Sequence, residues 1–436
     1  MKISSAKWQT ILLTAVNTVV RTLGFLMRIW TSRVLGAEGM GIMELAQSIH
    51  MVAIAPLTSG LPAAISRLTA KAGREHQEYA LESGLWLTRR VSFLLIPALW
   101  IFSPLLAKIA GDIRVLPSLW FTAPCILILG YSASFNGYCY GLEKSAWPAL
   151  SELIEQLVRL GLSISLISLL RHLTLPWLAS IPVAATMFAE IIGLLYVIRH
   201  FPNIKIYRKP SYAWTKNVIK LSIPATANRM LQTLLRSVTA IIIPARLQIS
   251  GLTATEATAQ LGRLNGMVMP VLMLPGVFTS ALSMVLIPKI AKAEEQPSEL
   301  KRLLIISLGC CIPFSVLSAG AVYYASPILA NVLYHQPDLT KLFKFCAFQI
   351  LLFPINHMLG STLSALGLQR CTFFTALASA VCSLFLTWLW AGSSRLGIVG
   401  IVYAQYTSLL LSIILECIAL LYWRRKKKLT YDDRSA

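Results

Sequence analysis

Four arginines sit where arginine is costly. Arg21 and Arg28 lie inside one long apolar run, and Arg229 and Arg236 lie inside another. A charge at the centre of a bilayer costs at least about 2.5 kcal/mol on insertion scales, so such residues face inward and serve a purpose. Each pair is spaced by seven residues. On a helix that spacing puts both members on one face, about 10 Å apart in height. A guanidinium stays charged when desolvated and offers a planar fork of donors that fits phosphate oxygens. Four of them, facing a cavity between two halves of the chain, would suit an anionic head group such as a pyrophosphate. The plainer alternative pairs some with Glu44, Glu190 or backbone carbonyls, or lets them snorkel to an interface.

A second group is Glu152, Glu155 and Arg159. Glu155 and Arg159 are four apart, a spacing that favours an ion pair along the helix. The group reads as mainly structural, with substrate contact as the alternative. Glu44 and Arg263 complete the set of candidate binding residues. Arg89 and Arg90 read as snorkelling side chains. His50 and His357 fall within apolar runs and read as hydrogen-bonded packing residues, with a proton relay as the alternative. No zincin, phosphate-loop or dinucleotide-binding motif stands in a suitable context, so no catalytic residue, metal site or cofactor is expected. The eight cysteines form no CxxC pair and fall in or beside apolar runs. They read as small packing residues, neither disulfides nor metal ligands.

The elements that hold these residues follow from composition. The chain has 436 residues, 56% hydrophobic and 13% charged, with mean hydropathy +0.67. Soluble domains carry about 25% charged residues. Twelve apolar runs of membrane-spanning length recur, at 8–34, 41–66, 85–106, 118–140, 150–170, 175–197, 218–243, 261–288, 304–324, 345–366, 372–390 and 398–422. About 20 such residues cross the hydrocarbon as a helix. A barrel would need alternating strands of about 10 residues, and that alternation is absent. The first run contains Arg21 and Arg28 and has no small-residue cleavage site, so it is not read as a signal peptide.

The expected fold is therefore an all-α polytopic membrane protein of twelve transmembrane helices. The expected organisation is an N-terminal lobe at 1–200 and a basic cytoplasmic linker at 201–217. A C-terminal lobe at 218–423 and a basic cytoplasmic tail at 424–436 follow. Lys and Arg concentrate on one set of loops. That set includes Lys2, Lys7, Lys71, Arg74, Arg199, Lys205, Arg208, Lys209, Lys289, Lys292, Lys301 and Arg302. The positive-inside rule then puts both termini in the cytoplasm of a cell-membrane protein. The same distribution accounts for the net charge of +21 through anionic lipid. No nucleic-acid partner is expected, and the chain is expected to be a monomer.

The two lobes look like copies. TSGLPAAISRLTAKA at 58–72 matches TSALSMVLIPKIAKA at 279–293 in 6 of 15 positions, and RTLGFLMR at 21–28 parallels RMLQTLLR at 229–236. An even number of spans per lobe implies a parallel pseudo-twofold repeat of the kind found in transporters. Spans two and eight also look broken, the former by Pro56, Gly60 and Pro62, the latter by Pro270, Pro275 and Gly276. Proline removes a backbone donor, and in lipid the freed carbonyls need partners, so such breaks belong inside a bundle or along a cavity.

These residues carry a family resemblance. RTLGFLMRIWTSRVLGAEGMGIMELA at 21–46 resembles the opening of the stage V sporulation protein B branch of polysaccharide transporters. That branch shares a superfamily with the lipid II flippase and the multidrug and toxin extrusion exporters. The stretch 241–291 resembles the matching part of the second half, and SELIEQLVRL at 151–160 is similar to a recurrent polysaccharide-transporter stretch. The resemblance implies two six-helix lobes, alternating access and a polyprenyl-diphosphate-linked sugar as substrate. On this alignment Arg21 falls on a cavity arginine of the lipid II flippase. That family's second arginine falls on Met27, with Arg28 one place later. Pro270 and Met273 stand where the lipid II flippase has Arg and Glu, which favours the polysaccharide branch. On this resemblance the chain is expected to lack two extra C-terminal spans of some relatives.

The function expected is a flippase that moves a lipid-linked oligosaccharide or peptidoglycan precursor from the inner to the outer leaflet. With no ATP motif, its drive would be an ion gradient, the membrane potential or substrate consumption. A cation-coupled multidrug exporter is the alternative, but it would want cavity carboxylates where this chain has arginines. A membrane glycosyltransferase or ligase would need larger loops bearing acids and bases than these runs leave.

Overall fold

The computed structural model describes residues 2–73, 76–201 and 210–435, without the side chains of 2–12, 295, 297 and 425–435. Most of the basic linker lies outside the described residues, as do Arg74 and the basic side chains of Lys2, Lys7 and the tail beyond Arg424. Every regular element among the described residues is helical. In chain order they are α1 (Lys2–Thr58), α2 (Gly60–Lys71), α3 (Gln77–Ile109), α4 (Leu116–Gly141) and α5 (Ala146–Leu169). Next come α6 (Leu175–Arg199), α7 (Tyr212–Ile249), α8 (Ala254–Leu261), α9 (Met269–Leu272) and α10 (Gly276–Lys292). The rest are α11 (Pro297–Ile328), α12 (Leu339–Cys346), α13 (Gln349–Ala365), α14 (Gln369–Ala391) and α15 (Gly397–Ser435).

Among the described residues eight helices are long and apolar enough to cross a membrane, or ten if two bent pairs each count as one span. One of the eight covers Leu13–Lys71, 59 residues. At 1.5 Å per residue it is about 88 Å long, well over twice the hydrocarbon thickness. Gly36 divides it: its φ of 67° is left-handed, a conformation that glycine adopts without steric cost. α5 falls short of the same standard because Glu152, Glu155 and Arg159 lie within its 24 residues. Outward-facing side chains fit a lipid solvent. Phe93, Leu94 and Ile101 on α3, and Leu317 and Tyr324 on α11, are each more than 70% exposed. The protein is a multi-pass membrane protein.

Contacts group the chain into two compact units, Met1–Pro244 with Ala254–Gly262, and Ala245–Thr253 with Arg263–Ala436. In the first unit α4 packs on α1, α2, α3 and α6, and α5 packs on α1 and α6. Lipid supplies no hydrophobic drive between helices, so close backbone approach at small residues takes over. A Cβ on Gly41 would lie 1.9 Å from the Thr258 carbonyl oxygen, so only glycine allows α8 to seat on α1. α7 joins the first unit through hydroxyl bonds. Thr215 donates to Ser83 at 3.4 Å and Ser237 donates to the Ser48 carbonyl at 2.8 Å.

The broken spans are present. Ser59 separates α1 from α2, within the Pro56–Pro62 stretch. The backbone N–H of Gly60 there donates to Thr226 Oγ1 of α7 at 3.1 Å. A donor freed in the apolar interior thus finds a partner, as it must. The eighth run is broken at Pro275 and Gly276, where the chain bends by 47° between Ala254–Leu272 and Gly276–Lys292. A seven-residue π-helical stretch, Gly262–Val268, precedes it. The tenth run, read as one span over 345–366, coincides with α13, and the chain bends by 41° at its start, between α12 and α13.

Candidate functional site

The first unit holds a half-open cavity of about 590 Å³. α1 supplies Arg28, Glu44 and His50 to its wall, α5 supplies Gln156 and Arg159, and α6 supplies Glu190. These polar residues face one another because Gly36 turns the chain between Arg28 and Glu44. Arg28 pairs with Glu44. Arg159 Nη2 lies 3.7 Å from Glu190 Oε1, and its Nη1 donates to Gln156 Oε1 at 3.4 Å. His50 is buried, with Nδ1 3.4 Å from Thr122 Oγ1.

A smaller cavity of about 290 Å³ adjoins it and shares Gln156, Arg159 and Glu190 as wall. Ser132, Asn136, Glu152 and Glu155 also line it. Asn136 Oδ1 and Arg159 Nε are buried there without a hydrogen-bond partner among the described residues. Such groups are costly in a dry interior, and this chamber is polar and roomy enough to hold water.

The structure corrects one pairing. The i,i+4 spacing of Glu155 and Arg159 does not make an ion pair. Arg159 turns to Glu190 across the helix interface, and Glu155 instead accepts from Ser151 Oγ at 2.6 Å. Glu155 also lies against α6 where a Cβ on Gly193 would come within 2.1 Å of its Oε1. Glu152, Gln156 and Arg159, at i, i+4 and i+7, share one helix face, while Glu155 sits on the flank toward α6.

The remaining candidates are placed as follows. Arg21, Arg229 and Arg236 belong to the first unit, are exposed, and make no ion pair or hydrogen bond among the described residues. Arg263 lies in the second unit, 3.6 Å from Asp338, which is 80% exposed. Met27 and Arg28 both line the larger cavity, so the one-place shift along α1 keeps a guanidinium at its wall. Gln156 is not among the residues the sequence singles out, and His50, which reads as a packing residue ahead of a proton relay, lines the cavity. The periodicity of α5 signals Gln156. Nothing local signals His50.

At one end of the unit is a second polar cluster. Asp112 accepts from Arg114 Nε at 2.9 Å, from Arg114 Nη2 at 2.7 Å and from Thr258 Oγ1 at 2.9 Å, while Arg114 also pairs with Glu38. Burial pushes the Asp112 carboxyl up, but the Arg114 and Thr258 bonds outweigh it and hold it below the usual carboxylate value. In the second unit Glu416 is buried and accepts from Asn356 at 3.3 Å, and Arg246 stacks 4.5 Å above the Trp388 ring.

A membrane-embedded helical unit with apolar side chains outside and paired charges around a half-open cavity is the build of a polytopic transporter. The chain belongs to the polysaccharide biosynthesis protein family, whose pattern matches residues 7–294. It is 29% identical over 432 residues to stage V sporulation protein B of Bacillus subtilis (strain 168), covering 93% of this chain and 82% of that one. The fold is similar to the inward-facing conformation of a multidrug resistance MATE family transporter of the MOP superfamily. The TM-score is 0.78 at 14% identity, over 96% of this chain and 99% of that one. It is likewise similar to the lipid II flippase MurJ in an inward closed conformation, with TM-score 0.77 at 14% identity over 94% and 87% of the two chains.

Proposed function

We propose that the protein is an alternating-access flippase for a polyprenyl-diphosphate-linked oligosaccharide or peptidoglycan precursor, moving it from the inner to the outer leaflet of the cell membrane. The observation that carries this reading is the pair of guanidinium groups, Arg28 and Arg159, on the wall of one cavity. Arg21, Arg229 and Arg236 on the same unit add three cations with no internal partner among the described residues. Guanidinium forks suit the diphosphate, and the polar side chains Gln47, His50, Gln156 and Thr186 offer bonds to sugar hydroxyls. Arg21, Arg28, Arg229 and Arg236 are the proposed diphosphate ligands, with Arg159 joining them; Glu44 and Glu155 act near the site, and Arg263 remains a weaker candidate.

Twelve spans, six per repeat, fit the helices. The Leu13–Lys71 helix counts twice, α5 is admitted despite its charges, and each bent pair counts once. Both termini are cytoplasmic on this reading, and the protein acts as a monomer whose drive is an ion gradient, the membrane potential or substrate consumption. The alternative, export of cationic drugs, is less well served, because Glu44 and Glu190 already face arginines. The test is depletion of the protein followed by analysis of membrane lipids. Accumulation of a polyprenyl-diphosphate-linked sugar supports the reading, and an unchanged lipid profile with new sensitivity to cationic dyes opposes it.

A further inference from the structure

A guanidinium carried through a membrane without a counter-charge is strongly disfavoured. Each arginine on the wall of the larger cavity has one. Arg28 pairs with Glu44 and Arg159 lies 3.7 Å from Glu190, so each carboxylate neutralises a guanidinium that a diphosphate would otherwise engage. We propose that Glu44 and Glu190 are internal counter-ions that stand in for the substrate. They hold Arg28 and Arg159 while the cavity is empty and yield them when the anion enters. This rests on the reading of the cavity as a diphosphate site.

The geometry gives the displaced carboxylate somewhere to go. Glu190 lies on the wall common to both chambers. Behind it the smaller chamber, about 290 Å³, offers the Ser132 hydroxyl, and it is large enough for several waters at about 30 Å³ each, which supply the donors a carboxylate needs. Glu152 and Glu155 line the same chamber. Like charges repel, so Glu190 returns to Arg159 once the anion leaves. The empty carrier therefore resets with its cavity charges matched, and the loaded carrier uses the same two forks on its cargo. The two carboxylates lower affinity for the anion and speed the return step.

The test uses the full chain in detergent, with inorganic pyrophosphate as probe and calorimetry as readout. Glu44→Gln and Glu190→Gln keep side-chain shape and remove the competing charge. Each is expected to bind pyrophosphate about fivefold more tightly, the factor that a partly exposed ion pair of about 1 kcal/mol corresponds to. In liposomes carrying a fluorescent polyprenyl diphosphate sugar, the same variants should slow net flipping but not counterflow exchange, because exchange skips the empty return. Arg28→Ala and Arg159→Ala should abolish pyrophosphate binding. Unchanged or weaker binding in the glutamine variants, with binding lost in the arginine variants, overturns the counter-ion role and leaves the site standing. Binding indifferent to both arginines overturns the site and the proposal together. Where a glutamine variant does not fold, infrared difference spectra of the unmodified protein decide. Pyrophosphate must shift the carboxylate stretching bands, and an unchanged carboxylate region overturns the counter-ion role.

Discussion

Replacing Arg159 with alanine removes the ion-pair partner of Glu190, whose side chain is 10% exposed and 3.7 Å away. At an effective dielectric constant of about 20, that attraction is worth about 4.5 kcal/mol. Arg159 is 27% exposed, and water screens part of this, so the net loss of stability should be about 2–3 kcal/mol, just under the range for breaking a fully buried pair. Arg21, exposed and without an internal partner among the described residues, should cost less than about 0.5 kcal/mol when changed to alanine. Arg159→Ala combined with Glu190→Gln should recover most of the loss, since the stranded charge goes with its partner. Denaturant unfolding of the four proteins in one detergent, followed by tryptophan fluorescence, measures these differences. Arg159→Ala as stable as the parent, or a double variant no better than the single, would refute the claim that this pair neutralises the cavity.

Asp112 contributes stability that is fully present above about pH 4, the ordinary value of an unfolded aspartate, and is lost as pH falls through its lowered folded value. Thermal unfolding of the parent should therefore weaken steeply on acidification below about pH 4, and Asp112→Asn should flatten that limb. Thr226→Val strands the Gly60 N–H at the α1–α2 break and should destabilise by about 1–3 kcal/mol, read by the same melts. Single cysteines in a cysteine-free background report orientation: at Ser211 an impermeant reagent should label only permeabilised cells, and at His172 it should label intact ones.

Much of the fold was legible because apolar runs in lipid must be helices. The turn at Gly36 separates the runs read as 8–34 and 41–66, and Pro275 marks the second-unit break. The span count was less legible from helix length alone, because α5 carries the charges of the site. Arg28 was found from its cost in lipid, and its partner Glu44 was named as the plainer alternative. The Glu155–Arg159 pairing failed for a physical reason. Spacing along one helix shows which groups can reach each other, but not whether a carboxylate on a neighbouring helix reaches better. Glu190 lies on α6, and only the packing of α5 on α6 brings it to Arg159. His50 was passed over because a histidine in an apolar run looks the same whether a core or a cavity lies beside it.

The most direct test of the central claim is transport by the purified protein alone. Liposomes should carry a fluorescent polyprenyl diphosphate sugar in both leaflets, with a membrane-impermeant quencher outside. The account predicts that the parent protein exposes the inner-leaflet pool to quencher, and that the double variant Arg21→Ala, Arg229→Ala does not, at equal reconstitution and equal thermal stability. Flipping by the double variant at the parent rate, or no flipping by the parent under any imposed ion gradient or membrane potential, would contradict it.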